Sequence, residues 1–126
     1  MRLNSTGTLS RELDGTIVSY STPIYREFTL SNGKVLKVFN DTYYSATTRK
    51  HQANIREYEF YADIVFHYCP YGNWSLETAF KNEISMTENE IEKLEKKTRK
   101  LGKRQAEQLE NLKALLKILQ NLYQEV

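Results

Sequence analysis

Residues 6–40 alternate between apolar and polar positions in short runs, which is the period of a β-strand. The segment GTLSREL meets TIVSYST across Asp14-Gly15, and YREFTL meets VLKVFN across Asn32-Gly33. Asp-Gly and Asn-Gly favour type I′ turns, which need positive φ at both central residues. The pattern therefore predicts two β-hairpins, with Pro23 either separating them or marking an edge.

The residues after the second hairpin change from the period of a strand to that of a helix. SATTRKHQANIREYEF predicts a short helix near 47–59, for which Ser45, Thr47 or Thr48 is a suitable N-cap. Next, EFYADIVFHYC is rich in aromatic and branched residues and predicts a strand near 60–69. The segment PYGNWS then breaks the chain.

From Ser75 onward the pattern is helical. SLETAFKNEI predicts a short helix with Ser75 as its N-cap, and Thr87 with Glu90 forms a T-x-x-E capping box for a second helix. Beyond this box, positions repeat at the spacing of the a and d sites of a heptad. These sites are Ile91, Leu94, Thr98, Leu101, Gln105, Gln108, Leu112, Leu115, Leu119 and Leu122, and the stripe is widened by Leu109, Leu116 and Tyr123. Such a stripe predicts an oligomerisation seam or an intramolecular core.

Gly102 interrupts the heptads and leaves two interpretations open. As a C′ glycine it would end one helix, whose last turns are rich in lysine and arginine, and the chain would fold back as a hairpin. Alternatively, the helix continues through Gly102 at a cost of about 1 kcal/mol relative to alanine. The unbroken register favours continuity, and a helix over 87–126 would be about 60 Å long. Because so small a sheet cannot cover that length, we expect an oligomer under either interpretation.

Together these patterns predict an α+β fold. An N-terminal antiparallel β-sheet of hairpins carries a short helix and is followed by C-terminal helices, including a long amphipathic one. The predicted boundaries are 1–73 for the sheet with its short helix and 74–126 for the helical region. We expect the two regions to form one intertwined domain in the oligomer.

Composition then limits the classes of function. The chain has 18 basic and 16 acidic residues, and this near balance argues against a protein that coats nucleic acid regardless of sequence. Cys69 is the only cysteine, so no intrachain disulfide can form. The N-terminal sequence lacks the apolar run of a signal peptide, and no segment approaches the ~20 apolar residues that span a bilayer. We therefore expect a cytoplasmic protein without a membrane partner.

Catalytic and metal-binding motifs do not stand out. His67 and Cys69 lie two residues apart in a predicted strand, but His51 is the only other histidine, which leaves too few ligands for zinc. Core packing is a better interpretation of the pair than a nucleophile and its base. A Walker loop, G-x-G-x-x-G and H-E-x-x-H are all lacking from the sequence. The sequence thus predicts a protein that is not an enzyme and uses no cofactor or metal.

The segment TYYSATTRKHQ is unusual because Ala46 is its only plainly apolar residue. Helix capping explains its threonines, but Arg49, Lys50 and His51 place cationic groups in a first helical turn, where acidic residues are favoured. Free amides at a helix N-terminus, hydroxyls and cations together suit an anion. Two interpretations remain open, namely an ordinary capped helix and a site for a nucleotide phosphate, with Tyr43 and Tyr44 able to stack on the base.

The basic cluster at 96–104 also has two interpretations. Glutamates one turn earlier supply ion pairs to Lys96 and Arg99. Lys100 and Arg104 follow basic residues at that spacing, so they leave an unbalanced cationic spot that suits phosphate. The two lie one helical turn apart, where they could share one phosphate group.

Two of these segments resemble a pattern found in small bacteriophage proteins. YSTPI at 20–24 is followed by a strand-turn-strand and then by YYSATTRKHQANIR at 43–56, which is similar to Y-x-T-x-I and then Y-S-x-T-T-x-K-H-Q. The motif covers about 37 residues. The layout of the whole chain, an antiparallel sheet followed by helices, is similar to that of the first type of Thoeris anti-defence sponge.

This resemblance implies a function. Members of that family bind cyclic ADP-ribose isomers made by host immune enzymes, hold them without breaking them, and so keep them from their effector. Some also hold cyclic oligonucleotides at a second site. They act in the host cytoplasm as homo-oligomers, such as a dimer or a trimer of dimers, with pockets at subunit boundaries and with aromatic, arginine and polar contacts.

The pocket of that family cannot be aligned with this chain position by position, so we choose candidate ligand-binding residues by their chemistry. They are Tyr20, Tyr25, Arg26, Tyr43, Thr47, Thr48, Arg49, Lys50, His51, Gln52, Arg56, Phe80, Lys100 and Arg104. The alternative function is a phage inhibitor or adaptor that binds a host protein or nucleic acid through its C-terminal helices.

Overall fold

A computed structural model describes residues 1–97 and 101–126 of the chain. It is an α+β fold, as predicted. In chain order the described elements are β1 (Leu9–Arg11), β2 (Ile17–Ser19), β3 (Thr22–Thr29), β4 (Val35–Asn40), α1 (Ala46–Asn54), α2 (Glu57–Tyr61), β5 (Ile64–Phe66), α3 (Leu76–Glu95) and α4 (Lys103–Gln124). Within the described ranges, no helix has both the length and the apolar character needed to cross a membrane.

The strands form one sheet in the order β1-β2-β3-β4-β5. The first four strands pair antiparallel, and both predicted hairpins are confirmed. Gly15 and Gly33 each take a positive φ, of 93° and 82°, in the turns where Asp-Gly and Asn-Gly predicted them. β5 is the exception because it pairs parallel to β4, with Val38 opposite Ile64.

Pro23 lies inside β3, so its prediction as a separator or an edge residue is wrong. It pairs with Val18, next to a bulge between Ile17 and Val18 that shifts the register. A bulge leaves one residue out of the ladder, which is where a strand tolerates the missing N–H of proline. The Pro23 carbonyl oxygen accepts hydrogen bonds from Asn40 Nδ2 at 3.0 Å and from Trp74 Nε1 at 2.9 Å.

The strand predicted near 60–69 is mostly wrong. Residues 57–61 form the short helix α2, and only Ile64–Phe66 pair with the sheet. The aromatic residues Phe60 and Tyr61, which suggested a strand, are exposed on α2. The helix predicted near 47–59 is correspondingly divided into α1 and α2, which together carry the crossover that a parallel β4-β5 pair requires.

The sheet has an apolar core on each face, because adjacent residues of a strand point to opposite sides. On one face, Ile17, Ile24 and Phe39 pack against Ile55 at the end of α1. The opposite face packs against α3 and α4. Its buried members are Leu30, Leu36, Val38, Ile64, Phe66, Cys69, Trp74, Leu76, Ala79, Phe80 and Leu119.

The helix α3 is longer than predicted. Its N-cap is Ser75, as expected, and the Ser75 hydroxyl accepts from the Thr78 amide at 3.2 Å. The capping box at Thr87 is wrong because α3 continues through this residue, and Thr87 is buried in the packed face of the helix. Leu76, Ala79 and Phe80 extend the apolar stripe to the start of α3, so there is no reason for a second helix to begin at Thr87.

The prediction of one continuous helix through Gly102 is wrong. α3 ends at Glu95, and Gly102 is the N-cap of α4 with an extended backbone of φ −65° and ψ 162°. The two helices form an antiparallel hairpin, since Phe80 stacks on Tyr123 with ring centroids 5.5 Å apart. The heptad position Thr98 and the cluster residue Arg99 lie outside the described residues, as does the candidate Lys100.

Candidate functional site

A polar groove of about 570 Å³ crosses the sheet over β1, β2 and β3. It opens on the face opposite α1, because its residues occupy the strand positions that alternate with the buried residues Leu9 and Ile17. Its lining consists of Ser10, Glu12, Asp14, Thr16, Val18, Tyr20, Ser21, Pro23, Arg26 and Asn73. The volume is within the range of small-molecule sites.

Arg26 provides the cationic group of the groove. Its guanidinium carbon lies 4.6 Å from the ring centroid of Phe28 and 4.9 Å from that of Trp74. Nη1 also donates to the Trp74 carbonyl oxygen at 2.5 Å, which fixes the plane of the side chain. Burial lowers the pKa of Arg26, although the group stays charged because an arginine titrates far above neutral pH. The result is a preoriented cation with further N–H groups for an anion.

Two carboxylates line the same groove. Asp14 Oδ1 accepts from the Thr16 amide at 2.9 Å, and this hydrogen bond lowers the pKa of Asp14. Glu12 lies nearby and, with Asp14, favours the charged form of Arg26. Carboxylates accept hydrogen bonds from hydroxyl groups, so this part of the groove suits a sugar, whereas Arg26 suits a phosphate.

Tyr20 lines the groove at the tight turn between β2 and β3, and its ring centroid lies 5.8 Å from that of the buried His51 on α1. Among the described residues it is the only one other than glycine with a positive φ, at 55°. Its side chain is 52% exposed, and its amide donates to the Thr8 carbonyl at 2.7 Å. Bulky residues in this conformation carry strain, which is concentrated at functional sites in proteins.

The positive charge at the start of α1 has a partner that the sequence pattern did not reveal. Arg49 Nη1 lies 2.5 Å from Asp41 Oδ1, and Arg56 Nη1 lies 2.9 Å from the same oxygen. Arg56 also pairs with Glu59 at 3.1 Å. Both arginines are therefore held by acidic neighbours, whereas the exposed Lys50 has no ion pair to a described residue.

The other candidates in TYYSATTRKHQ face two directions. Thr48, His51 and Gln52 are buried on the sheet side of α1, while Thr47 is exposed. The Gln52 amide donates to the carbonyl oxygens of Asn40 at 2.9 Å and Thr42 at 2.8 Å, which fastens α1 to the preceding chain. The N-cap is Ser45, whose hydroxyl accepts from the Thr48 amide at 3.1 Å.

The remaining candidates are dispersed. Tyr25 is buried beside Tyr58, and Phe80 is fully buried in the core. Tyr43 is exposed, with the Arg49 guanidinium 5.5 Å from its ring centroid. Arg104 is exposed on α4, and Lys100 lies outside the described residues.

The groove thus brings together Tyr20 and Arg26 from the predicted set and leaves the others apart. Sequence reasoning missed Glu12, Asp14 and Asn73. The polar residues at alternate positions from Ser10 to Asp14 were an available sign, because they place one hydrophilic face on β1 and its turn.

In the described part of the chain, no three histidine, cysteine, aspartate or glutamate residues are grouped so that they could hold a metal ion. Cys69 is buried, and burial raises the pKa of its thiol. His67 is half exposed beside Glu83, so its prediction as a core residue is wrong. Compared with known protein families, curated proteins and solved structures, the chain has no significant match.

Proposed function

We propose that this protein binds a cyclic nucleotide of the cyclic ADP-ribose class in the β1–β3 groove and sequesters it without turnover. The observation that carries the proposal is Arg26, a charged guanidinium that packs against the rings of Phe28 and Trp74 in a groove that Tyr20 also lines. An arginine with its plane fixed loses little freedom when it binds phosphate.

The groove offers a partner for each part of such a ligand. Arg26 would bind the pyrophosphate, and Tyr20 would stack on the base. Glu12 and Asp14 would accept hydrogen bonds from ribose hydroxyls. Because Glu12 and Asp14 also favour the charged form of Arg26, the phosphate would have to bind on the side of the guanidinium that faces away from them, where like charges do not repel.

The sequence resemblance supports the biological setting of the proposal. A bacteriophage protein of this kind would act in the host cytoplasm, where it would hold an immune signal away from its effector. It would evade the defence by stoichiometric capture. A cyclic oligonucleotide would occupy a second site, as it does in some members of the family that the chain resembles.

A second copy of the chain is part of the proposal. On α4, Leu115 and Ile118 are exposed, and of the described residues of α4 only Leu119 is buried. Apolar residues on one side of a helix are commonly covered by another subunit. We propose that two copies associate through α4, as a dimer or within a trimer of dimers.

Calorimetry with a purified cyclic ADP-ribose isomer tests the proposal. We expect binding by the protein and at least a tenfold loss in Arg26→Ala, since a hydrogen bond to a charged group contributes about 1.5–3 kcal/mol. Arg104→Ala is the matched control, because it removes an exposed arginine outside the groove. Mass spectrometry of the heat-denatured complex should return the ligand intact. Absence of binding, or a cleaved ligand, would refute the proposal.

A further inference from the structure

His51 of α1 contacts the turn that contains Tyr20. His51 is 5% exposed, and its ring centroid lies 5.8 Å from that of Tyr20. Its Nδ1 is 2.7 Å from the hydroxyl of Ser19, the residue before Tyr20, and the same hydroxyl is 3.0 Å from Thr48 Oγ1. The imidazole therefore joins α1 to the last residue of β2, next to the strained tyrosine.

The N-terminal segment completes this connection. His51 Nε2 lies 3.4 Å from Asn4 Nδ2 and 3.5 Å from Thr8 Oγ1. The backbone carbonyl oxygen of Thr8 in turn accepts a hydrogen bond from the Tyr20 amide. Tyr20 is thus held from two sides, by Ser19 along the chain and by Thr8 across the turn, and both of these residues contact His51.

The surrounding hydrogen bonds identify the tautomer of His51. Asn4 Oδ1 accepts from the Leu9 amide at 3.1 Å, so the opposite side of the Asn4 amide, its NH₂ group, faces His51 Nε2. An NH₂ group only donates, so Nε2 must be the accepting nitrogen and Nδ1 must carry the proton. Nδ1–H then donates to Ser19 Oγ, which leaves the Ser19 hydroxyl free to donate to Thr48.

The groups that face His51 are neutral. They are Asn4 and Thr8 from the N-terminal segment, Ser19 and the Tyr20 phenol from β2 and its turn, and Thr48 from α1 itself. The cationic neighbours on α1 are Arg49, which pairs with Asp41, and Lys50, which is exposed. No carboxylate among the described residues contacts the ring to stabilise an imidazolium.

We propose that His51 is a positioning residue for the groove, whose neutral Nδ1–H imidazole holds Tyr20 in its binding conformation. Protonation of Nε2 would put an N–H against the donor of Asn4, loosen the Tyr20 turn and release the ligand. The inference rests on the proposed function, because Tyr20 is assigned there to the base of the nucleotide.

The direction of the pH effect follows from burial. Burial lowers the pKa of His51 below its ordinary value of 6.5 in the folded protein. The imidazole is therefore neutral at pH 7.5, and its protonated form becomes populated at a lower pH than that of an ordinary histidine. Below the pKa of His51 the binding-competent fraction falls about tenfold per pH unit, and the apparent affinity falls by the same factor.

The experiment combines a measurement that needs no ligand with one that does. NMR of the unliganded protein follows the Tyr20 ring and the His51 imidazole from pH 8 to pH 5. We expect the Tyr20 resonances to change with the His51 midpoint, and not with that of His67, the only other histidine. Tyr20 resonances that stay constant through the His51 titration would overturn the inference.

Calorimetry with a cyclic ADP-ribose isomer at pH 7.5 and 5.5 provides the second readout. His51→Asn keeps an amide donor for Ser19 but cannot be protonated, so its affinity should vary much less with pH than that of the wild type. His67→Gln is the control and should keep the full pH response. A wild-type pH response in His51→Asn would overturn the inference. Absence of binding at both pH values refutes the proposed function instead, and the NMR titration then decides the inference alone.

Discussion

At the scale of single residues, Tyr20 combines a conformational cost with an exposed ring. A residue other than glycine in the left-handed region costs about 1–2 kcal/mol. The surrounding contacts offset this cost, because the Tyr20 amide is bonded to Thr8 and Ser19 is bonded to His51 and Thr48. A half-exposed tyrosine at this strained position of the turn is compatible with the ligand stacking that we propose for it.

If Tyr20 stacks on the ligand, replacing it should weaken binding without lowering the stability of the fold. Tyr20→Asn should leave the melting temperature within a few degrees of the wild type, because asparagine tolerates a positive φ well. Its affinity for a cyclic ADP-ribose isomer should fall at least tenfold, since base–aromatic stacking contributes about 1–3 kcal/mol. Tyr20→Phe, which keeps the ring, should bind nearly as well. If calorimetry gave Tyr20→Asn the affinity of the wild type, the stacking role would be wrong.

Arg26 and Tyr20 were chosen from the sequence by their chemistry, and the structure places both in one groove. Glu12, Asp14 and Asn73 were missed because the groove collects side chains from three strands and from a loop some fifty residues later. The charge argument for Arg49 failed for a similar reason. Its partner Asp41 lies before α1, where the helical spacing i, i+4 does not apply.

At the scale of elements, Glu83 connects α3 to the end of β5. This buried carboxylate accepts from the amide of Tyr68 at 2.7 Å and from that of His67, and its other oxygen lies 3.7 Å from His67 Nδ1. These backbone amides follow the last residue of the sheet, where the strand ladder no longer supplies partners. Glu83 therefore determines how α3 sits against the sheet edge.

We expect Glu83→Gln to lower the free energy of unfolding by about 1–3 kcal/mol, because a neutral oxygen replaces a charged acceptor at a buried site. The hydrogen bond to Glu83 raises the pKa of His67 in the folded protein. This pairing therefore stabilises the fold below the unfolded pKa of 6.5, and the contribution is lost as the pH rises through the folded pKa. In Glu83→Gln the NMR titration midpoint of His67 should fall.

Glu77→Gln is the control for this substitution, because Glu77 is an exposed glutamate of the same helix whose ion pair is with Lys81. It should leave both the His67 midpoint and the unfolding free energy nearly unchanged. An unchanged His67 midpoint in Glu83→Gln would show that Glu83 does not interact with the imidazole.

The elements differ in how far sequence predicted them, and the reason is the range of the interactions that form them. The two hairpins were predicted because Asp-Gly and Asn-Gly act within four residues. The bounds of α2 and β5 were predicted wrongly, although β5 lies inside the strand predicted near 60–69, because the local preference of aromatic residues for strands was overridden by the crossover to a parallel pair. The break before Gly102 was hidden because both helices of the hairpin keep apolar residues in a register that continues across the connection.

At the scale of the whole molecule, packing within the hairpin of α3 and α4 covers part of the apolar stripe that the heptads predicted. Leu119 packs inside the core, and Tyr123 stacks on Phe80. Leu112 and Leu116 are only half-buried, and Leu115 and Ile118 are exposed. The chain therefore uses one side of α4 for its own core and leaves a second apolar side on the surface, which agrees with a seam between subunits.

This surface gives the last prediction. Leu115→Glu combined with Ile118→Glu should convert the proposed oligomer to a monomer in light scattering, because charges cannot be buried in an apolar seam without partners. The circular dichroism spectrum should be retained, since neither residue is part of the core. Lys117→Glu changes an exposed charge of the same helix and should leave the mass unchanged. If the double variant kept the mass of the wild type, or if the wild type were itself a monomer, α4 would not be the subunit interface.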